Sequence, residues 1–355
     1  MSFGSIEMSH RLKRESTLMK VHALIDWEAL RPHFSGIYKR DATRGGGQAP
    51  FDSLVMFKAI LLGQWHSLSD PKLEQALQVR IDFMHFCGLT LSDEVPDETT
   101  LCRFRNRLIV NKKLDPLLAL INTQLQKQNL MVAKATGAVI DATLVQSAAR
   151  PNKTITLETD AEGTPITHED GSSPGIVCTE RHSADNDATW LKKGGKSHYG
   201  YRSYLTVDAE HGYVRGVHTA PANQSEVTHF ETAIANAHID ANRVYADKGS
   251  ASAANRHFLK TRKIKSAIMH KAQRNKPLTE RQQRANKLIS KKRYIVEQCF
   301  GTAKRLFGMA RASYFGTLKV NAQVILKGMC INLLKAANKI LLMPNTTGEI
   351  RPLLG

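Results

Sequence analysis

Three carboxylates stand where their surroundings could let them do chemistry. Asp141 follows the apolar pair Val139-Ile140, Asp247 closes Val244-Tyr245-Ala246, and Glu297 sits inside the stretch KKRYIVEQCFGTAKRLFG. Carboxylate oxygens are hard ligands that suit Mg²⁺, an ion held by one or two carboxylates together with phosphate oxygens and waters. Two such ions can activate an attacking oxygen and stabilise the leaving oxygen of an in-line phosphoryl displacement. Each acid also has a duller reading. An Asp at a strand's end commonly caps a loop, and a Glu on a basic helix commonly pairs with a neighbouring cation. The three are far apart in sequence, so only a fold that brings strand ends and a helix together can make them one site.

The elements that would position them are legible from periodicity. GAVIDATLVQ, from residue 137, alternates and is rich in β-branched residues, which predicts a strand carrying Asp141. SHYGYRSYLTVDAEHGYVRGVHTAP predicts a hairpin turning at Glu210-His211-Gly212. A helix from Glu226 to about His238, the short strand RVYAD, a helix over Ala253–Arg262 and the strand KSAIMHK follow. Strand, hairpin, helix, strand, helix, strand and then helices make a mixed sheet flanked by helices, an α/β domain. The segment 151–189, with its EGT, EDGSSPG and ADND stretches, reads as an acidic surface insertion of irregular structure. Glu297 lies four residues after Arg293 and seven before Lys304, so all three share one helical face.

Before residue 132 the pattern is helical. Asp52 is placed to cap FDSLVMFKAILLGQW, Ser69-Asp70-Pro71 opens a second helix, and Pro96-Asp97 opens a third. On the third, Leu101, Phe104 and Leu108 form one face, with Arg103, Arg105 and Arg107 away from it. Short helices of this kind are compatible with a helix-turn-helix-like DNA-binding unit, and equally with three-helix packing that touches no DNA. Residues 1–48, ending in Arg44-Gly45-Gly46-Gly47, read as a basic arm and linker.

Fifty Lys and Arg against 32 Asp and Glu leave a net charge of +18 on 355 residues. Such a chain attracts polyanions, of which nucleic acid is the commonest. The span 260–311 holds sixteen Lys or Arg and two acids, a net +14. Most charge runs are solvated faces; this one adjoins Glu297 and reads as a channel for the DNA backbone, with Lys287, Lys291, Lys292 and Arg293 in contact. Lys196 and His198, beside Lys192-Lys193-Gly194-Gly195, could reach phosphate or simply decorate a turn. The five cysteines are scattered without a Cys-x-x-Cys pair, which argues against a zinc finger or a disulfide framework. No apolar run is long enough to span a bilayer, and the first residues lack the apolar core of a signal peptide. The expected location is the cytoplasm, with the nucleoid.

VIDATLVQ, ADNDATWLKKGGKSHYGYRSYLTVDAEHG, TAPANQSE and VYADKGS, in that order, resemble the Insertion Sequence 5 family of bacterial DDE transposases. The resemblance takes in the helical segment 50–110 and runs to about residue 340. That family's signature around its third acid is Tyr, two residues, Arg, three residues, Glu, six residues, Lys. Arg293, Glu297 and Lys304 fall in its register, with Ser290 where Tyr is expected. The resemblance implies a helical domain over 49–132, a ribonuclease H-like catalytic domain over 133–343 and a tail from 344. It makes Asp141, Asp247 and Glu297 the catalytic, metal-holding acids, with two Mg²⁺ ions or Mn²⁺ in their place. Arg103 and Arg107 would contact DNA from the helical domain. It implies cleavage at the ends of an insertion sequence, attack of the freed 3′-hydroxyls on target DNA, and a homodimer or larger assembly to coordinate two ends. A ribonuclease H-like nuclease without strand transfer, and a DNA-binding regulator descended from a transposase, are the alternatives.

Overall fold

In the computed structural model, the residues described are 16–38, 49–166, 175–342 and 350–352. The described residues open with α1 (Thr17–Leu24), capped by the Ser16 hydroxyl, and a 3₁₀ turn over Glu28–Phe34. Here the expectation of an arm and linker needs correcting for residues 16–38. Val21, Leu24, Trp27, Leu30 and Phe34 are all buried in the main core, because a run this apolar gains more by packing than by remaining in water. Residues 1–15 and 39–48, the rest of that expectation, lie outside those described.

Five helices follow: α2 (Ser53–Trp65), α3 (Asp70–Val79), α4 (Ile81–Cys87), α5 (Glu98–Val110) and α6 (Leu114–Lys127). The expected caps are present. Asp52 accepts from Leu54 N at 2.7 Å and Asp97 from Thr100 N at 2.6 Å, and Pro71 occupies the first turn of α3. Arg105 departs from its expected outward position. Its guanidinium is buried, paired with Asp70 at 2.7 Å and stacked 4.2 Å above the Tyr314 ring, so it fastens α5 to α3.

The sheet is built on β1 (Ala138–Gln146). On one side β1 pairs antiparallel with β5 (Lys196–Asp208), which pairs antiparallel with both β4 (Thr189–Lys193) and β6 (Val214–Pro221). On the other side β7 (Arg243–Ala246) and β8 (Lys265–Ile268) continue in parallel. Helices α7 (Glu226–Ala235) and α8 (Ala253–Thr261) provide the crossovers. Three antiparallel strands joined through β1 to two parallel ones, with helices on both faces, is the ribonuclease H-like fold. The insertion is more ordered than its composition suggests: β2 (Asn152–Leu157) and β3 (Ile176–His182) form a two-stranded antiparallel ribbon. Thr154-Ile155-Thr156 and Ile176-Val177 favour extended backbone, and the ribbon leaves Ile155, Ile176 and Val177 exposed. Among the described residues, β9 (Ile340–Leu342) and β10 (Ile350–Pro352) form a further antiparallel pair.

Two long helices close the structure. A reciprocal Thr279–Gln282 capping box starts α9 (Glu280–Leu306). Helix α10 (Thr317–Ala337) is buried nearly all round and packs on β6, α6, α1 and α2. Asn332 on α10 donates to Asn122 Oδ1 on α6 and to Val214 O on β6, each at 2.8 Å, and accepts from Val214 N at 2.7 Å. Helical segment and sheet therefore share one continuous apolar core. Among the described residues no helix is long and apolar enough to cross a membrane, and all five cysteines are free.

Candidate active site

Strand polarity decides where the acids go. Asp141 lies on the β1 face whose neighbours Val139 and Val145 point into the core beneath α9 and α10. Asp247 lies one residue past β7, at the sheet end toward which parallel β1 also runs. Helix α9 packs across β1 and β7 and presents Glu297 from above. One guanidinium joins all three. Arg293 Nη2 donates to Asp141 Oδ2 at 2.6 Å and lies 3.9 Å from Glu297 Oε1, while Nη1 is 3.4 Å from Asp247 Oδ1. Burial works against the Arg293 charge, but Asp141 first, then Asp247 and Glu297, outweigh it and raise its pKa above the ordinary guanidinium value.

The donor chemistry fits a divalent ion: three hard carboxylates are already gathered around one positive group, with the Met269 thioether 3.7 Å from Arg293 Nη1 as a soft neighbour. Among the described residues no three acidic, imidazole or thiol groups stand close enough to hold an ion without adjustment. Arg293 takes up that space, so an ion held there would compete with the guanidinium for the same oxygens. Asp141 is half-committed already, its Oδ1 accepting from Ala142 N at 2.8 Å.

Beside Asp141 opens a cleft of about 350 Å³, lined by Ala142, Thr143, Leu144, Gln146, Lys193, His198, Lys304 and Ala310. Lys193 and Lys196 flank the β4–β5 turn, where Gly194 and Gly195 both take positive φ (57° and 76°), the geometry of a tight two-residue hairpin. Burial and the nearby Lys193 charge lower the Lys304 pKa. Lys287, Lys291 and Lys292 are exposed on the first half of α9. Arg103 and Arg107 are exposed on α5, the latter over the Tyr38 ring at 5.0 Å. They belong to a different part of the molecule from the acids.

Sequence reasoning passes over two residues, Arg202 and Glu226. Arg202 on β5 pairs with Glu226 at the start of α7 at 3.0 Å, with side-chain exposures of 14% and 24%. Burial raises the Glu226 pKa, Arg202 opposes the shift, and the charges of Asp141 and Asp247 add to it, so Glu226 lies within electrostatic reach of both. Ser225-Glu226 is legible as a helix start; nothing local marks it as a neighbour of Asp247.

A sheet of this order, with one acid within its central strand, one just past the neighbouring parallel strand, one on the covering helix and a basic cleft alongside, is the architecture of enzymes that cut and transfer polynucleotide strands. The model described as "Transposase DDE domain" matches residues 133–333, and that described as "Transposase domain (DUF772)" matches residues 6–107. The transposase for insertion sequence element IS1106 of Neisseria meningitidis serogroup B is 44% identical over 238 residues, 67% of this chain and 78% of that relative. A piggyBac transposase synaptic complex with hairpin DNA, solved by electron cryo-microscopy, aligns over 93% of this chain and 76% of its own at 10% identity, with a TM-score of 0.44. The chain belongs to the transposase DDE domain family. It is an insertion-sequence DDE transposase, an enzyme that binds DNA, depends on a divalent metal ion, and cleaves and transfers strands.

Proposed function

We propose that Asp141, Asp247 and Glu297 form the catalytic site, and that they hold two Mg²⁺ ions, which Mn²⁺ can replace. The observation that carries this is the convergence of all three acids on the Arg293 guanidinium. When bound, the ions would supply charge stabilisation at the attacking and leaving oxygens of a phosphodiester. The chain's own residues would position the strand. Arg293 would leave the acids for a DNA phosphate, Lys304, Lys193, Lys196 and His198 would hold the backbone along the cleft, and catalysis would be chiefly orientation and electrostatics. Water would free 3′-hydroxyls at the element's ends, and those hydroxyls would attack target DNA at the same acids. The unit would act as a homodimer or larger assembly on two ends, within the nucleoid. Residues 49–132 would serve end recognition and 133–343 the chemistry.

Precut end duplexes incubated with a target plasmid and Mg²⁺ are expected to become covalently joined to it. Cleavage of intact ends without any joining of precut ones would make the protein a nuclease alone.

The exposed lysines of α9 would contact the DNA backbone. Replacing Lys287, Lys291 and Lys292 with Gln is expected to weaken binding to all duplexes alike. The slope of log affinity against log salt should fall by about 0.9 for each phosphate that the variant no longer neutralises. An unchanged slope would leave these lysines on a solvated face.

End recognition would fall to α5. Arg103→Ala with Arg107→Ala should lower the preference for element ends over scrambled duplex about tenfold or more, since an arginine bonded to a base edge is worth ~1–3 kcal/mol. Equal weakening on both duplexes at one salt concentration would restrict the two arginines to phosphates. No weakening would make the segment structural.

A further inference from the structure

Of the two acids that the strands carry, Asp247 has the weaker support on the side facing β1. The β1–β7 ladder runs only through Ala138–Val244 and Val139–Tyr245, and stops two residues short of both Asp141 and Asp247. Asp141 is still fixed by its antiparallel partner Leu205 on β5. Asp247 has left its strand, and the 3₁₀ turn Lys248–Ser250 takes over at once. The first turn of α8 ties that turn to the start of α7. Asn255, 1% exposed, donates from Nδ2 to Ser250 O at 2.9 Å and to Val227 O at 3.2 Å. Beside this clasp the Glu226 carboxylate lies flat against Gly249. A Cβ on residue 249 would overlap Glu226 Oε2 and stand 2.9 Å from its Cδ, so this close approach requires glycine there. Arg202 grips the same carboxylate from β5 at 3.0 Å.

We propose that Glu226 is a positioning residue for the reaction: clamped by Arg202, its carboxylate wedges the Gly249 turn and fixes the aim of Asp247. The proposal rests on the reading of Asp247 as a metal-holding acid. Outer partners that orient ligating carboxylates typically change metal affinity 10–100-fold when removed.

Mn²⁺ binding to the purified full chain, followed by electron paramagnetic resonance, tests it beside end-duplex binding and thermal unfolding. Glu226→Ala should weaken Mn²⁺ binding tenfold or more while duplex binding and the unfolding midpoint stay near those of the parent. Glu226→Gln keeps the wedge's shape and should retain most of the affinity. Gly249→Ala should match Glu226→Ala, and the double variant should be no worse than either single, because both act through one pair of groups. Parental Mn²⁺ affinity in Glu226→Ala would overturn the proposal, as would losses that multiply in the double variant. A loss in Glu226→Gln as large as in Glu226→Ala would also overturn it, by putting the carboxylate on the ion itself. Asp247→Asn serves as the control: parental Mn²⁺ binding in that variant would overturn the reading of Asp247 and the proposal with it, whereas loss in Asp247→Asn beside parental binding in Glu226→Ala would overturn the wedge alone.

Discussion

Asp141→Asn, Asp247→Asn and Glu297→Gln are each expected to lower DNA cleavage and strand joining by at least about 10²–10³-fold, the scale seen when one transition-state stabilising group is removed. The amides keep the shape of the acids and take away the hard anionic oxygen that an ion requires. Folding should survive. Glu297 is largely exposed, with 61% of its side chain in solvent, and the amides that replace Asp141 and Asp247 keep the shape of partly solvated side chains. Duplex binding should hold or strengthen a few-fold, because each substitution removes a negative charge from beside the DNA path. The effect should be clearest for Asp141→Asn, which releases Arg293 from its 2.6 Å partner. Initial rates on labelled end duplexes, set against gel-shift affinities and near-UV circular dichroism, separate these outcomes. Full cleavage by any one variant would remove that residue from the site.

Asp208→Ala is expected to cost about 3–5 kcal/mol of stability, the usual effect of stripping one partner from a buried ion pair. Asp208 is fully buried and accepts from His211 N at 2.7 Å, Gly212 N at 3.1 Å and Tyr213 N at 3.0 Å, so it builds the turn between β5 and β6. It also faces Arg215, 2% exposed, whose Nε lies 3.8 Å away and has no hydrogen-bond partner. Burial depresses the Arg215 pKa and Asp208 is the largest influence holding it up. Alanine would therefore strand a guanidinium and the turn's N–H groups together. Asp208→Asn, which keeps one acceptor oxygen, should lose less. Urea unfolding monitored by tryptophan fluorescence measures both. A loss below about 1 kcal/mol for the alanine variant would mean that Lys335 Nζ, donating to His211 O at 2.7 Å, and Cys299 hold the turn without it.

The elements are largely legible along the chain. Alternation finds β1, the apolar arms mark the hairpin turning near Gly212, and the caps Asp52 and Asp97 stand where helices α2 and α5 begin, because caps and period-2 patterns depend on residues within one turn of each other. Spacing also puts Arg293, Glu297 and Lys304 on one helical face. The resemblance carries the fold and activity; composition alone goes no further than a basic, polyanion-binding α/β protein. Residues 16–38 look like an arm because basic residues interrupt their apolar positions, and only the surrounding helices supply the surface against which Val21, Trp27 and Leu30 pack. Arg105 looks like its neighbours Arg103 and Arg107 until Asp70 and Tyr314, distant in sequence, give its charge a buried partner and a ring. The convergence of three acids on Arg293, and the wedge of Glu226 against Gly249, join segments separated by tens to hundreds of residues. Their geometry follows from strand order, ladder length and helix packing, which local pattern does not encode, so tertiary structure alone decided which charges meet.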